Sequence, residues 1–140
     1  MRIVIDSNIL FSALIKDSIT RKIILEYNGY FLFPSFIFEE MEEHKKELLD
    51  KSGLKIGEFN NLLELILKKV EIVPNEILKK YKQKALEIVK NIDVTDALFV
   101  ACALAYSNSL IWTEDKRLKE QDKIKICNTK EIINLLKLKF

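Results

Sequence analysis

The sequence predicts an α/β protein, a three-layer α/β/α sandwich around a parallel sheet of four to five short strands. Short β-branched or aromatic runs alternate with longer stretches of helical periodicity. No hairpin signal such as Asn-Gly joins two strands, so the strands must be linked by crossovers that lay helices on both faces of the sheet. No repeat, linker or tail interrupts residues 1–140, which read as one domain. A chain of this length buries about two-thirds of its unfolded surface.

Taken in order, residues 2–5 form a strand through their β-branched run, and 8–15 a short helix or turn. Asp17-Ser18 caps a helix over about 19–28. Phe31-Leu32-Phe33 is a short apolar strand that Pro34-Ser35 ends, capping a helix of about 36–50 that stops before Gly53. Positions 59, 62, 63, 66 and 67 make a helical stripe within residues 58–69, and Val70 to Val73 a minor strand before Pro74. Residues 75–90 are helical, with Leu78, Tyr81, Ala85, Ile88 and Val89 on one side. Asp93 to Thr95 resets the chain ahead of a helix over 96–107 that is apolar nearly all round. Leu110 to Thr113 and Lys125 to Cys127 are strands, and Thr129 caps a last helix to about 138.

Apolar residues at 49% and charged residues at 31% describe a compact globule and exclude a disordered chain. The longest clean apolar run, Ala97 to Tyr106, is ten residues, half of what a membrane span of about 20 needs. Met1 leads straight into a strand, so no secretory signal is expected before the fold, and the cytoplasm is the expected location. Cys102 and Cys127 have no metal or redox spacing and read as buried thiols in a reducing compartment. Net charge is only +2, compatible with a nucleic-acid partner without arguing for one.

The chemistry gathers at the ends of elements. Open α/β sheets bind ligands at the carboxyl ends of their strands, near a switch in strand order. Asp6 ends the first strand, and Asp115 stands just past the strand over 110–113. On the helix after Pro34-Ser35, Ile37, Met41, His44 and Leu48 form a stripe about 60° wide; Glu40 borders it and Glu39 points almost opposite. Glu40 is therefore the candidate and Glu39 a surface charge. Asp96 opens the enclosed apolar helix, where it either satisfies the first turn or helps hold a metal. Asp93, one turn earlier, is an N-cap or an outer ligand.

Carboxylates crowded into one cleft repel each other and resist desolvation unless a cation compensates them. An all-oxygen set suits Mg²⁺ or Mn²⁺, whereas one histidine and no paired cysteine argue against zinc. Such an ion attracts a phosphodiester and activates water against it. Ser7 and Thr113 are suited to orienting a ligand or the water, and Asn8 to holding Asp6. Lys116, Arg117 and Lys119 either touch phosphates beside the metal site or form a solvated face. His44 reads as a core or interface histidine rather than a general base. Phe38 lies about 100° off the Ile37 stripe, which favours a subunit surface.

These residues resemble the PIN-domain ribonucleases. "IDSNILFSAL" matches the opening Asp, Ser/Thr, Asn pattern; "PSFIFEE" supplies the helical acid at Glu40; "DALFVACALA" matches the acid heading an Ala-rich helix; Thr113-Glu114-Asp115 matches a Thr-x-Asp segment. The resemblance runs from residue 2 to about 136 and implies strand order 3-2-1-4-5. It implies catalytic and metal-ligating roles for Asp6, Glu40, Asp96 and Asp115, Mg²⁺ or Mn²⁺ as cofactor, and cleavage of RNA leaving 5′-phosphate and 3′-hydroxyl ends. It also implies a homodimer and, for toxin members, an antitoxin partner. Many members carry a further acid two residues past the Thr-x-Asp aspartate, where this chain has Arg117. An inactive RNA- or protein-binding module is the alternative. A phosphoacceptor domain is a more distant one, because the first strand carries a single acid and the glutamate is on a helix.

Overall fold

The β-branched run after Met1 pairs in the middle of a sheet. The computed structural model describes residues 1–16 and 18–140. Its strands are β1 (Arg2–Ile5), β2 (Phe31–Pro34), β3 (Val70–Val73), β4 (Ser109–Trp112) and β5 (Lys125–Cys127). The helices are α1 (Ser7–Ile15), α2 (Ile19–Glu26), α3 (Ile37–Ser52), α4 (Ile56–Leu67), α5 (Asn75–Val89), α6 (Ala97–Ala105) and α7 (Thr129–Leu136). Short 3₁₀ turns occupy Val94–Asp96 and Lys116–Glu120.

All strand pairs are parallel, in the order β3-β2-β1-β4-β5. Ile3, Val4, Ile5, Phe31, Phe33, Ile111 and Trp112 are fully buried, as central strands covered on both faces require. Helix α1 contacts α2, α3 and α4, and α4 contacts α2 and α3, while α6 packs on α5 and lies against β1, β2 and β4. This is the expected three-layer α/β/α sandwich. From β1 the chain proceeds outward through β2 to β3, then returns to the other side of β1 for β4 and β5. The order reverses between β1 and β4, and their register, Ile5 opposite Trp112, puts residues 6 and 113 side by side at the carboxyl edge.

Several local expectations need correction. Pro34 belongs to β2, at a level where pairing to β1 has already ended at Leu32, so its missing N–H costs nothing there. Ser35 does not cap α3; its hydroxyl donates to Asn75 Oδ1 at 2.8 Å, and Phe36 stands at the cap without a side-chain bond. Asn128, not Thr129, caps α7, accepting from the Glu131 N–H at 2.9 Å. The Thr129 hydroxyl is taken instead by Trp112 Nε1, at 3.0 Å, and by Glu114. Helix α2 ends at Glu26 rather than 28, α4 runs 56–67 rather than 58–69, and α6 stops at Ala105. The turn over Lys116–Glu120 had no apolar periodicity to announce it. Ser18 caps α2 through the Arg21 N–H at 3.3 Å, whereas Asp17 lies outside the described residues.

Gly53 ends α3 at φ +68°, the left-handed conformation that a residue without Cβ adopts freely. No helix among the described residues is long and apolar enough to cross a membrane.

Candidate active site

Strand β1 breaks into α1 at Asp6, because the first helical N–H groups need an acceptor and this carboxylate supplies one. Asp6 Oδ1 accepts from the Ile9 N–H at 2.9 Å, and Oδ2 accepts from Thr113 Oγ1 at 2.5 Å. Only 7% of Asp6 is exposed. Burial raises its carboxyl above the ordinary value; the bonds from Thr113 and Ile9 oppose the rise, and the charges of Asp115 and Glu114 add to it. Among the described hydrogen bonds Asn8 makes none to Asp6; Ile9 and Thr113 do what Asn8 was expected to do.

A cavity of about 350 Å³ opens beside Asp6. Asp6, Ser7, Asn8, Glu40, Thr95 and Asp96 form its polar lining, and Phe36, Leu98 and Phe99 its apolar wall. Phe36 and Phe99 pack edge to face, their ring centroids 5.6 Å apart. The helical stripe assigns the glutamates as expected: Glu39 is exposed and Glu40 half-buried. Ser7 Oγ donates to Glu40 Oε1 at 3.2 Å, while Glu40 Oε2 lies 3.3 Å from His44 Nε2. His44 Nδ1 also lies 3.7 Å from Glu47, and its ring packs tilted against Phe11 at 5.2 Å, so His44 is a half-buried bridge on α3 rather than a core residue. Glu40, Glu43 and His44 present donor atoms within 4.8 Å of one another, a grouping on one helix turn.

Asp96 ends the 3₁₀ turn and stands at the cap of α6 without capping it. Its Oδ2 is buried and has no hydrogen-bond partner among the described residues. Burial first, then the charges of Asp93, Asp115 and Asp6, push its carboxyl up to about 6, with Arg117 pulling the other way. An unpartnered buried carboxylate oxygen is costly unless a cation meets it, so the residues present fit a divalent ion.

Asp93, Asp96 and Asp115 have donor oxygens within 4.8 Å of one another. Asp93 caps the 3₁₀ turn through the Thr95 N–H at 3.0 Å, with the Thr95 hydroxyl at 2.6 Å. These bonds, ahead of the Arg117 charge, hold its carboxyl below the ordinary value. Asp115 lies outside the cavity wall. Its Oδ1 caps the Lys116–Glu120 turn at the Arg117 N–H, 3.0 Å away, and its Oδ2 lies 3.2 Å from Arg117 Nη2. That same Nη2 is 3.0 Å from Asp93 Oδ2. Lys119 pairs with Glu131, whereas Lys116 is exposed and makes no ion pair among the described residues.

The structure thus brings Asp6, Glu40 and Asp96 to one cavity, and joins Asp96 to Asp93 and Asp115 at its edge. Sequence reasoning missed Phe36, Thr95, Leu98 and Phe99 as lining residues. Thr95 had a signal, because a hydroxyl two residues after an aspartate commonly closes a local turn with it.

A family model for the PIN domain matches residues 4–134. No curated protein matches the chain. With its sheet order, its acidic edge and a match over nearly its whole length, the chain belongs to the PIN domain family, and that membership together with the acidic cluster supports a general metal-dependent nuclease function.

Proposed function

We propose that the chain, acting as one unit over residues 1–140, is an endoribonuclease that hydrolyses RNA phosphodiester bonds with Mg²⁺ or Mn²⁺. The observation that carries the reading is the buried Oδ2 of Asp96, without a hydrogen-bond partner among the described residues, in a cavity shared with Asp6 and Glu40. Asp6, Asp96, Asp115 and Glu40 are the residues that would hold the ion. When bound, the ion supplies Lewis-acid polarisation of the phosphate and a more acidic water.

The chain's own groups prepare the site. The Ile9 N–H and Thr113 lock both oxygens of Asp6, so its carboxylate needs no reorganisation when substrate arrives. Ser7 steadies Glu40 beside the cavity, where its carboxylate can orient water. The aromatic wall of Phe36 and Phe99 limits solvent on one side. Lys116, free of carboxylate partners among the described residues, suits a phosphate of the RNA backbone. Phe38 on α3, 64% exposed, supports a homodimer contact. A toxin role would add an antitoxin protein as partner, and a cytoplasmic setting accords with the buried free thiols of Cys102 and Cys127.

The test is cleavage of a single-stranded RNA in Mn²⁺. Asp6→Asn is expected to abolish turnover with the circular-dichroism spectrum unchanged, and Mn²⁺ titration is expected to saturate the wild-type rate. Cleavage that survives the substitution overturns the proposal. One observation favours a second reading, a weak or inactive RNA- or protein-binding module: Arg117 already occupies Asp93 and Asp115. Failure of any RNA to turn over in Mn²⁺ or Mg²⁺ would select it.

A further inference from the structure

We propose that Arg117 is a built-in cation that competes with a divalent ion for Asp93 and Asp115. The inference rests on the reading of the acidic cavity as a metal site. Its origin is local. Asp115 caps the turn over Lys116–Glu120 at the Arg117 N–H, so the Arg117 side chain begins directly over the carboxylate and folds back onto it. Nε lies 3.3 Å from Asp115 Oδ1 and Nη2 3.2 Å from Oδ2, a forked grip on both oxygens. The same Nη2 reaches Asp93 Oδ2 at 3.0 Å.

With Thr95 on Asp93 Oδ1, every oxygen of Asp93 and Asp115 has a donor. Asp96, the third corner of the cluster, keeps a buried oxygen without one among the described residues. An ion needs carboxylate oxygens at about 2.1 Å for Mg²⁺, and its charge cannot share the Asp93–Asp115 edge with a guanidinium nitrogen seated there. Recruiting Asp115 as a ligand therefore requires the guanidinium to leave. It can leave, because the Arg117 side chain is 58% exposed and is held only by those carboxylates among the described residues. The wild-type chain accordingly holds a divalent ion less tightly than its carboxylates would without Arg117.

Calorimetric titration of Mn²⁺ into the intact protein tests this, with thermal shift in Mn²⁺ as a second readout. Arg117→Ala is expected to tighten Mn²⁺ binding about tenfold, as removal of a forked, charge-assisted competitor implies. Lys116→Ala deletes the same charge one residue away and is expected to change affinity by less than about threefold, as for an exposed unpaired charge. Equal or weaker binding by Arg117→Ala overturns the inference, while wild-type binding that Asp96→Asn abolishes leaves the metal-site reading intact. Equal tightening by Lys116→Ala also overturns it, since only the general field would then be at work. Absence of Mn²⁺ binding in both wild type and Arg117→Ala sinks the inference and the metal-site reading together.

Discussion

Thr113 Oγ1 donates to Asp6 Oδ2 at 2.5 Å, tying the ends of β1 and β4 together across 107 residues of chain. The pairing of Ile5 with Trp112 is what sets them side by side. Thr113→Val should cost about 1–3 kcal/mol in urea unfolding, because a buried carboxylate oxygen loses its donor. Thr113→Ser should retain most of that stability and, unlike Val, keep Mn²⁺ affinity near wild type. A valine variant as stable as wild type would mean that the hydroxyl does not hold Asp6.

Asp96 makes stability depend on pH in a direction opposite to that of a salt-bridged acid. Its carboxyl is raised from an ordinary 3.8 to about 6. The associated stability is complete below the ordinary value and is lost as pH rises through about 6. In chelator at about pH 8, Asp96→Asn should therefore exceed wild type by about 1 kcal/mol, after discounting for solvent screening, and melt about 3 °C higher. Near about pH 4 the two melting curves should converge. A persistent gap at low pH would show that charge is not the cause.

Metal binding should carry the complementary signature. Coordination needs ionised Asp96, so Mn²⁺ affinity should fall as pH drops below about 6, with protons released on binding. Isothermal titration in two buffers of different ionisation enthalpy measures that release directly. Affinity independent of pH across this range would remove Asp96 from the ligand set.

The two adjacent glutamates should behave differently. Glu40→Gln is expected to lower Mn²⁺-dependent cleavage by about 100-fold, and Glu39→Gln to leave it within about twofold. Only Glu40 borders the cavity and receives the Ser7 hydroxyl. Comparable losses in both variants would mean that charge on α3, not position, matters.

Two glycines separate backbone strain from simple exposure. Gly53→Ala should destabilise by about 1 kcal/mol in thermal melts, because φ +68° is strained for any residue with a Cβ. Gly57, within α4 and with open space around it, should gain about 0.5–1 kcal/mol on substitution by Ala. Neither change should alter Mn²⁺ affinity.

Much of the architecture was legible in local pattern. Short β-branched, aromatic or apolar runs marked all five strands, Gly53 marked the end of α3, and the 100° geometry of α3 separated Glu40 from Glu39. Caps were less legible. Thr129 looked like a helix cap, but its hydroxyl is claimed by Trp112 and Glu114, and Asn128 takes the role. Ser35 likewise spends its hydroxyl on Asn75, 40 residues away. A capping residue is chosen among competing partners, and distant partners leave no trace in the local sequence.

By itself the sequence determined which elements form and that acids stand at their ends, since periodicity and turn chemistry act over a few residues. Tertiary structure alone decided that Thr113 would lock Asp6, that one oxygen of Asp96 would be buried without a donor among the described residues, and that Arg117 would reach Asp93 as well as Asp115. Strand register and helix packing set those distances, and at hydrogen-bond range a shift of one ångström changes which groups can meet.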